Sequence, residues 1–138
     1  MGKYTVRVAQ DYRQPVERVF AQLADHNNLS RVLGIPVKRV VDGRPDVNGV
    51  GSVRKMGLGP LAVEEMVTAV VPNQSIDYRI SKGGAPLKNH RGGLTFSSTP
   101  GGSRVEWTIT FDSSLPIAGA VVKQVLTHGL RLGLKRIK

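Results

Sequence analysis

The 138-residue chain contains no cysteine. That absence excludes disulfides, thiol nucleophiles, iron–sulfur clusters and cysteine-type zinc sites together. It fits a reducing compartment, so a cytoplasmic location is the expectation. Aromatic residues make up only 5%, which leaves little stacking surface for a single-stranded nucleic acid. Acidic residues are scarce too: ten Asp plus Glu face twenty Lys plus Arg, a net charge of +10. No apolar run approaches the roughly 18 residues that cross a bilayer. The opening Met1-Gly2-Lys3-Tyr4-Thr5-Val6-Arg7 lacks the continuous apolar stretch of a signal peptide, and Val6 stands where a myristoylation site needs Ser or Thr. His26, His90 and His128 have no short metal-binding spacing, so neither a metal nor another cofactor is expected. Gly57-Leu58-Gly59-Pro60-Leu61-Ala62 superficially matches a dinucleotide fingerprint. A strand rather than a helix follows it, and Pro60 disrupts the phosphate cradle, so it reads as a turn. Nucleophile elbow and P-loop are both missing.

What remains is an ordinary globular composition, 40% hydrophobic and 22% charged, of a length that suits one domain spanning residues 1–138. Residues 4–11 alternate Tyr4/Val6/Val8 with Thr5/Arg7/Ala9, the period of a half-buried strand. Pro15 suits a first helical position, and Val16, Val19, Phe20, Leu23 and Ala24 form one apolar stripe that ends near Asp25. A second short helix is predicted over 28–33, closed by Gly34. The period then changes to two. Strands are predicted over 37–41, 50–56, 62–71, 76–81, 88–97 and 104–111, separated by Gly/Pro-rich turns. After Leu115-Pro116 a long helix is predicted to the C-terminus, with Val122, Val125, Leu126, Leu130 and Ile137 on its apolar side. The order describes an α+β fold. About seven antiparallel strands curve around a long helix laid across their concave face. The space beneath that helix need not fill, which gives the expectation of a cavity.

Gly49-Val50-Gly51-Ser52-Val53-Arg54, then Glu64-Glu65-Met66-Val67-Thr68 with Pro72, then Ser103-Arg104-Val105-Glu106-Trp107-Thr108 resembles the polyketide cyclase/dehydrase-type branch of the START/Bet v 1-like (SRPBCC) superfamily. Pro86-Leu87-Lys88-Asn89-His90-Arg91-Gly92 is similar to a segment of small bacterial members. The resemblance covers nearly the whole chain. It implies a helix-grip fold with a hydrophobic tunnel or pocket, and a ligand such as a lipid or an aromatic polyketide. No invariant catalytic residue carries over with it.

Period two places His90 with Gly92, Leu94 and Phe96 on one strand face, near the expected pocket mouth. A His of near-neutral pKa can shuttle a proton in an enolisation or cyclisation. The plainer role is a hydrogen bond to backbone. Tyr78 and Trp107 supply aromatic walls with one polar atom each, suited either to a flat oxygenated ligand or to core packing. Glu64 and Glu65 are adjacent and face opposite sides of their strand. Parity leaves open which turns inward; Arg54 is the natural partner of an inward carboxylate, and the plainer alternative is a pair across the sheet at the surface. Gly129 and Gly133 thin one face of the last helix, where either the sheet or a ligand comes close. The candidate ligand-binding set is Trp107, Tyr78, His90, Arg54, Glu65, Phe96, Ile109, Leu126, Gly129 and Leu130.

The leading expectation is a carrier of a small hydrophobic ligand. The alternative is a cyclase or dehydratase with His90, Arg54 and Tyr78 as catalytic groups. A third is a protein-interaction or chaperone-associated module. The positive charge adds an acidic protein or an anionic lipid surface as a possible partner, while the few aromatic residues and the lack of a nucleic-acid motif make nucleic acid an unfavoured one; a monomer or small homo-oligomer is expected.

Overall fold

The computed structural model describes residues 2–85 and 87–138. Met1 and Pro86, the latter part of the bacterial-type segment, lie outside the described residues. Strand β1 (Gly2–Tyr12) leads into α1 (Val16–Ala24), a 3₁₀ turn over His26–Asn28 and α2 (Leu29–Leu33). Six strands follow: β2 (Val37–Val41), β3 (Val53–Met56), β4 (Val63–Val71), β5 (Ser75–Lys82), β6 (Leu87–Thr99) and β7 (Gly102–Ser113). Helix α3 (Pro116–Leu134) closes the fold. All neighbours pair antiparallel in one sheet of order β1-β7-β6-β5-β4-β3-β2. Only β1 enters out of sequence, as a strand laid against the last one.

The alternation of β7 sets the core. Val105, Trp107, Ile109 and Phe111 are buried together with Val6 and Val8 of β1, Leu94 of β6 and Ile76 of β5. Helix α1 adds Val16, Val19 and Leu23 from its stripe, and Phe20 meets Phe96 edge-on at 5.0 Å. Pro15 caps α1 with φ −67° and ψ 155°, one residue before the first helical position expected for it. Gly34 ends α2 in the left-handed conformation (φ 72°) that its lack of a Cβ makes cheap.

Two boundaries and one helix face differ from the expected ones for visible reasons. Strand β3 begins at Val53, not residue 50, because Ser52 N–H closes a turn onto Gly49 O at 3.0 Å and Gly51 has φ 87°. Helix α3 ends at Leu134, not at residue 138. The last residues turn back onto α1, where Gln22 Nε2 and Arg18 Nε donate to Lys138 O at 2.7 and 2.9 Å, and Ile137 is buried. Finally, Val125 is 64% exposed rather than on the buried side of α3.

Two tyrosines of β1 fix where α3 lies. Tyr4 Oη donates to Pro116 O at 2.9 Å, and Tyr12 Oη donates to Leu134 O at 2.6 Å, one bond at each end of the helix. The Tyr4 ring stacks on Phe111 at 5.3 Å and covers Gly119, whose missing side chain makes room for it. The helix is thereby pinned along the β1–β7 side of the sheet. The strands farther along, β3 to β5, receive less of its cover.

Candidate functional site

A hollow of about 200 Å³ opens where α3 leaves the sheet. Its apolar wall includes Leu33, Met56 and Ile109, with Leu126, Gly129 and Leu130 from α3. Its polar end is formed by Glu65, Tyr78 and Trp107. Two lining residues, Ile35 and Val125, are 43% and 64% exposed, so the hollow reaches the surface between α3 and the α2–β2 connection. A larger cleft of about 440 Å³ lies between α1 and the β4–β5 turn, lined by Phe20, Ile76 and the acidic Glu17, Asp25 and Asp46. The smaller hollow is the candidate site because buried charged and polar side chains converge on it.

That convergence follows from cross-strand register. Arg54 of β3 is directly opposite Glu65 of β4, and both point inward. Glu64 is opposite Lys55 on the other face, which resolves the parity left open by the sequence. Arg54 Nε and Nη2 donate to Glu65 Oε1 at 3.0 and 2.9 Å, and the guanidinium carbon lies 4.6 Å from the centre of the Tyr78 ring. Buried charges persist in this way only when paired and hydrogen-bonded.

The third arm of Arg54 reaches a residue that sequence reasoning had not placed at the site. Its Nη1 lies 3.2 Å from His26 Nδ1, and His26 is 1% exposed. His26 Nε2 lies 2.7 Å from Ser52 Oγ, which itself donates to Gly49 O at 2.6 Å. Ser52 has thus committed its proton and accepts from Nε2–H, leaving the Nδ1 lone pair for Arg54. This fixes one neutral tautomer. Burial, then the charges of Arg54 and Arg39, push the His26 pKa down to about 3.

His90 occupies an irregular stretch of β6. The β6–β7 register shifts between Lys88 and Arg91, and β5 and β6 pair only over Ser75–Tyr78 and Gly92–Thr95. Beyond that point Ile80 N–H donates to His90 Nδ1 at 3.1 Å, so an imidazole replaces the missing backbone partner. His90 Nε2 faces Glu65 Oε2 at 3.9 Å. Its pKa is lowered chiefly by burial, against the opposing pull of Glu65. Tyr78 accepts a hydrogen bond from Trp107 Nε1 at 2.7 Å, with the two rings nearly perpendicular. Gly92 lies over the Tyr78 ring, closer than any Cβ could stand. Burial also raises the Tyr78 hydroxyl pKa above its ordinary value.

Seven of the ten candidate ligand-binding residues therefore line the hollow: Glu65, Tyr78, Trp107, Ile109, Leu126, Gly129 and Leu130. Arg54 and His90 are absent from its lining; Arg54 bonds Glu65, and His90 bonds Ile80 N–H. Phe96 belongs to the part of the core under α1. Of the three candidate catalytic groups, only Tyr78 lines the hollow. Gly129 and Gly133 separate cleanly. A Cβ on Gly129 meets nothing within 4 Å, whereas one on Gly133 comes within 2.8 Å of Val32 O. Among the described residues, no group of three metal-ligating side chains is assembled. No described helix is long and apolar enough to cross a membrane.

The sequence profile of the family described as polyketide cyclase/dehydrase and lipid transport matches residues 3–138. The chain belongs to that family. Its fold is that of Bet v 1-like proteins. Superposition on Ara h 8.0201 gives a TM-score of 0.71 at 19% identity, covering 99% of this chain and 98% of the other. A protein of Nitrosospira multiformis gives 0.73 at 20% identity, with 99% and 97% covered. Protein CV1439 of Chromobacterium violaceum gives 0.71 at 20% identity, with 96% and 93% covered. No curated protein matches the chain. At these identities the neighbours establish the helix-grip fold, and the family description establishes a general association with hydrophobic molecules.

Proposed function

We propose that this protein is a single-domain carrier that binds a small, largely apolar molecule in the hollow between β3–β5, β7 and α3. The observation that supports this reading most is the lining itself: Leu126 and Leu130 of α3 stand across the hollow from Met56, Tyr78, Trp107 and Ile109 of the sheet, and the exposed Gly129 leaves its mouth uncovered. The volume of about 200 Å³ exceeds the ~150 Å³ apolar cavity known to take up benzene and falls below the ~300 Å³ lower bound of drug-sized pockets. One ring is the natural size, with room for a tail to leave past Ile35 and Val125. The reading as a cyclase draws less support, because Arg54 is committed to Glu65 and His26, and His90 to Ile80.

The test is thermal unfolding with and without a saturating one-ring hydrocarbon such as toluene. A ligand bound only by the folded state adds RT ln(1 + [L]/Kd), about 2.7 kcal/mol at a hundredfold excess over Kd. The expected result is a concentration-dependent rise in Tm in the natural protein, and a smaller one in Gly129→Phe, which places a ring at the mouth of the hollow. An equal response in both proteins contradicts the proposal.

The partner that fits the outer surface is an anionic lipid layer. Ile117, Val121, Val125 and Leu132 form an exposed apolar stripe on α3, and residues 113–138 contain five Lys plus Arg but no Asp or Glu. A helix with that pairing of apolar stripe and cations suits an interface carrying negative headgroups. Co-sedimentation with anionic but not zwitterionic vesicles, weakened by salt, is the expected behaviour. No association with either at low ionic strength contradicts it.

A further inference from the structure

The groups left without partners at the polar end decide which ligand the hollow selects. Glu65 Oε1 takes both hydrogen bonds from Arg54, at 3.0 and 2.9 Å. Glu65 Oε2 has no hydrogen-bond partner among the described residues, since His90 Nε2 stands at 3.9 Å, beyond bonding distance. The residue is more than nine-tenths buried and lines the hollow, and this oxygen is its unused acceptor. Tyr78 is the complement. Its oxygen already accepts from Trp107 Nε1 at 2.7 Å, while its own proton has no acceptor among the described residues. One carboxylate acceptor and one phenolic donor thus stand in a wall that is otherwise aliphatic and aromatic.

Chemical classes differ in how they meet that pair. A hydrocarbon meets neither group, and a ketone or ether can use only the Tyr78 proton. A carboxylate brings a negative charge against Glu65. A hydroxyl donates to Glu65 Oε2 and accepts from Tyr78 with the same oxygen, and it carries no charge to desolvate. Buried polar groups penalise an analogue that cannot bond them, and by more than a missing methylene does. Resting on the carrier reading above, we infer that the ligand is a small alcohol or phenol whose hydroxyl is held between Glu65 and Tyr78 at the inner end of the hollow.

Four probes sharing one body test this by titration calorimetry on the natural protein: toluene, p-cresol, 4-methylanisole and p-toluate. Water favours expelling toluene over p-cresol, so hydrophobicity alone ranks toluene first. The expected order is reversed, with p-cresol at least tenfold tighter than toluene and 4-methylanisole, and p-toluate weakest. In Tyr78→Phe the advantage of p-cresol over toluene should shrink several-fold. If toluene binds as tightly as p-cresol, the hydroxyl inference fails while the carrier reading stands. If 4-methylanisole equals p-cresol, no proton is donated to Glu65 and the inference fails in the same way. Absence of saturable binding by all four overturns both.

Discussion

His26, Arg54 and Glu65 form a buried chain of charge and hydrogen bonds, and its energetics are testable residue by residue. The pKa of His26, lowered to about 3 in the folded state, lies below the ~6.5 of an unfolded chain. The unfolded state therefore takes up a proton that the folded state refuses. Stability from this group is fully present above pH 6.5 and declines by about 1.4 kcal/mol per pH unit as the pH falls toward 3. The lowered pKa of His90 acts in the same direction. Urea unfolding between pH 7 and pH 5, before most carboxylates titrate, should show this slope, and His26→Gln should flatten it. An unchanged slope in the variant contradicts the assignment.

The Arg54–Glu65 pair gives a second prediction at this scale. Arg54→Met leaves a buried carboxylate unpaired and should cost about 3–5 kcal/mol, while Arg54→Met combined with Glu65→Leu recovers part of that loss. A double variant as unstable as the sum of the single ones removes the coupling. Gly92→Ala, whose added methyl collides with the Tyr78 ring, should cost about 1–3 kcal/mol of unfolding free energy. Unchanged stability would show that the ring moves aside freely.

The polar end was only partly legible in the sequence at this scale. Two adjacent glutamates with an arginine on the preceding strand allowed either an inward ion pair, because period two lets one of them face the core, or a pair across the sheet at the surface. The choice between Glu64 and Glu65 needed the cross-strand register. His26 left almost no signal. It sits in a polar turn, 28 residues before its partner, and only the placement of that turn against β3 buries it.

Among the elements, α3 carries the sharpest contrast. Gly129→Ala adds a methyl to open space and removes a helix-interior glycine, so it should stabilise the protein by about 0.5–1 kcal/mol. Gly133→Ala gains the same propensity but drives a methyl against the Val32 carbonyl of α2, and should destabilise. Matched denaturant titrations compare the two; identical effects would mean that the helix shifts bodily and that neither glycine reports on the hollow. The sequence showed that this face was thinned twice but not that two different reasons apply. Its stripe analysis also put Val125 inside. The helix is pinned by Tyr4 and Tyr12 at a rotation that turns Val125 toward the surface, and no periodicity within α3 encodes a bond from β1. Strand existence, by contrast, was plain wherever alternation ran long, as in Val105–Phe111. It blurred at residues 50–52, where a Gly–Ser turn interrupts an apolar spacing.

For the whole molecule, the geometry reduces to a sheet covered unevenly. Helix α1 fills one part of its concave face, α3 is fastened along β1 and β7, and the strands between are left with a ring-sized gap ending in Glu65 and Tyr78. The sequence order of elements made such a gap a reasonable expectation, but its size depends on where two tyrosine hydroxyls hold the helix. The most direct test is methyl-resolved NMR during titration with benzene. Saturable shifts should concentrate on Met56, Ile109, Leu126 and Leu130, with the core valines Val16 and Val19 of α1 undisturbed. Shifts that never saturate, or that fall on Ile117 and Val121 of the outer stripe while those four methyls stay still, would contradict a hollow that binds.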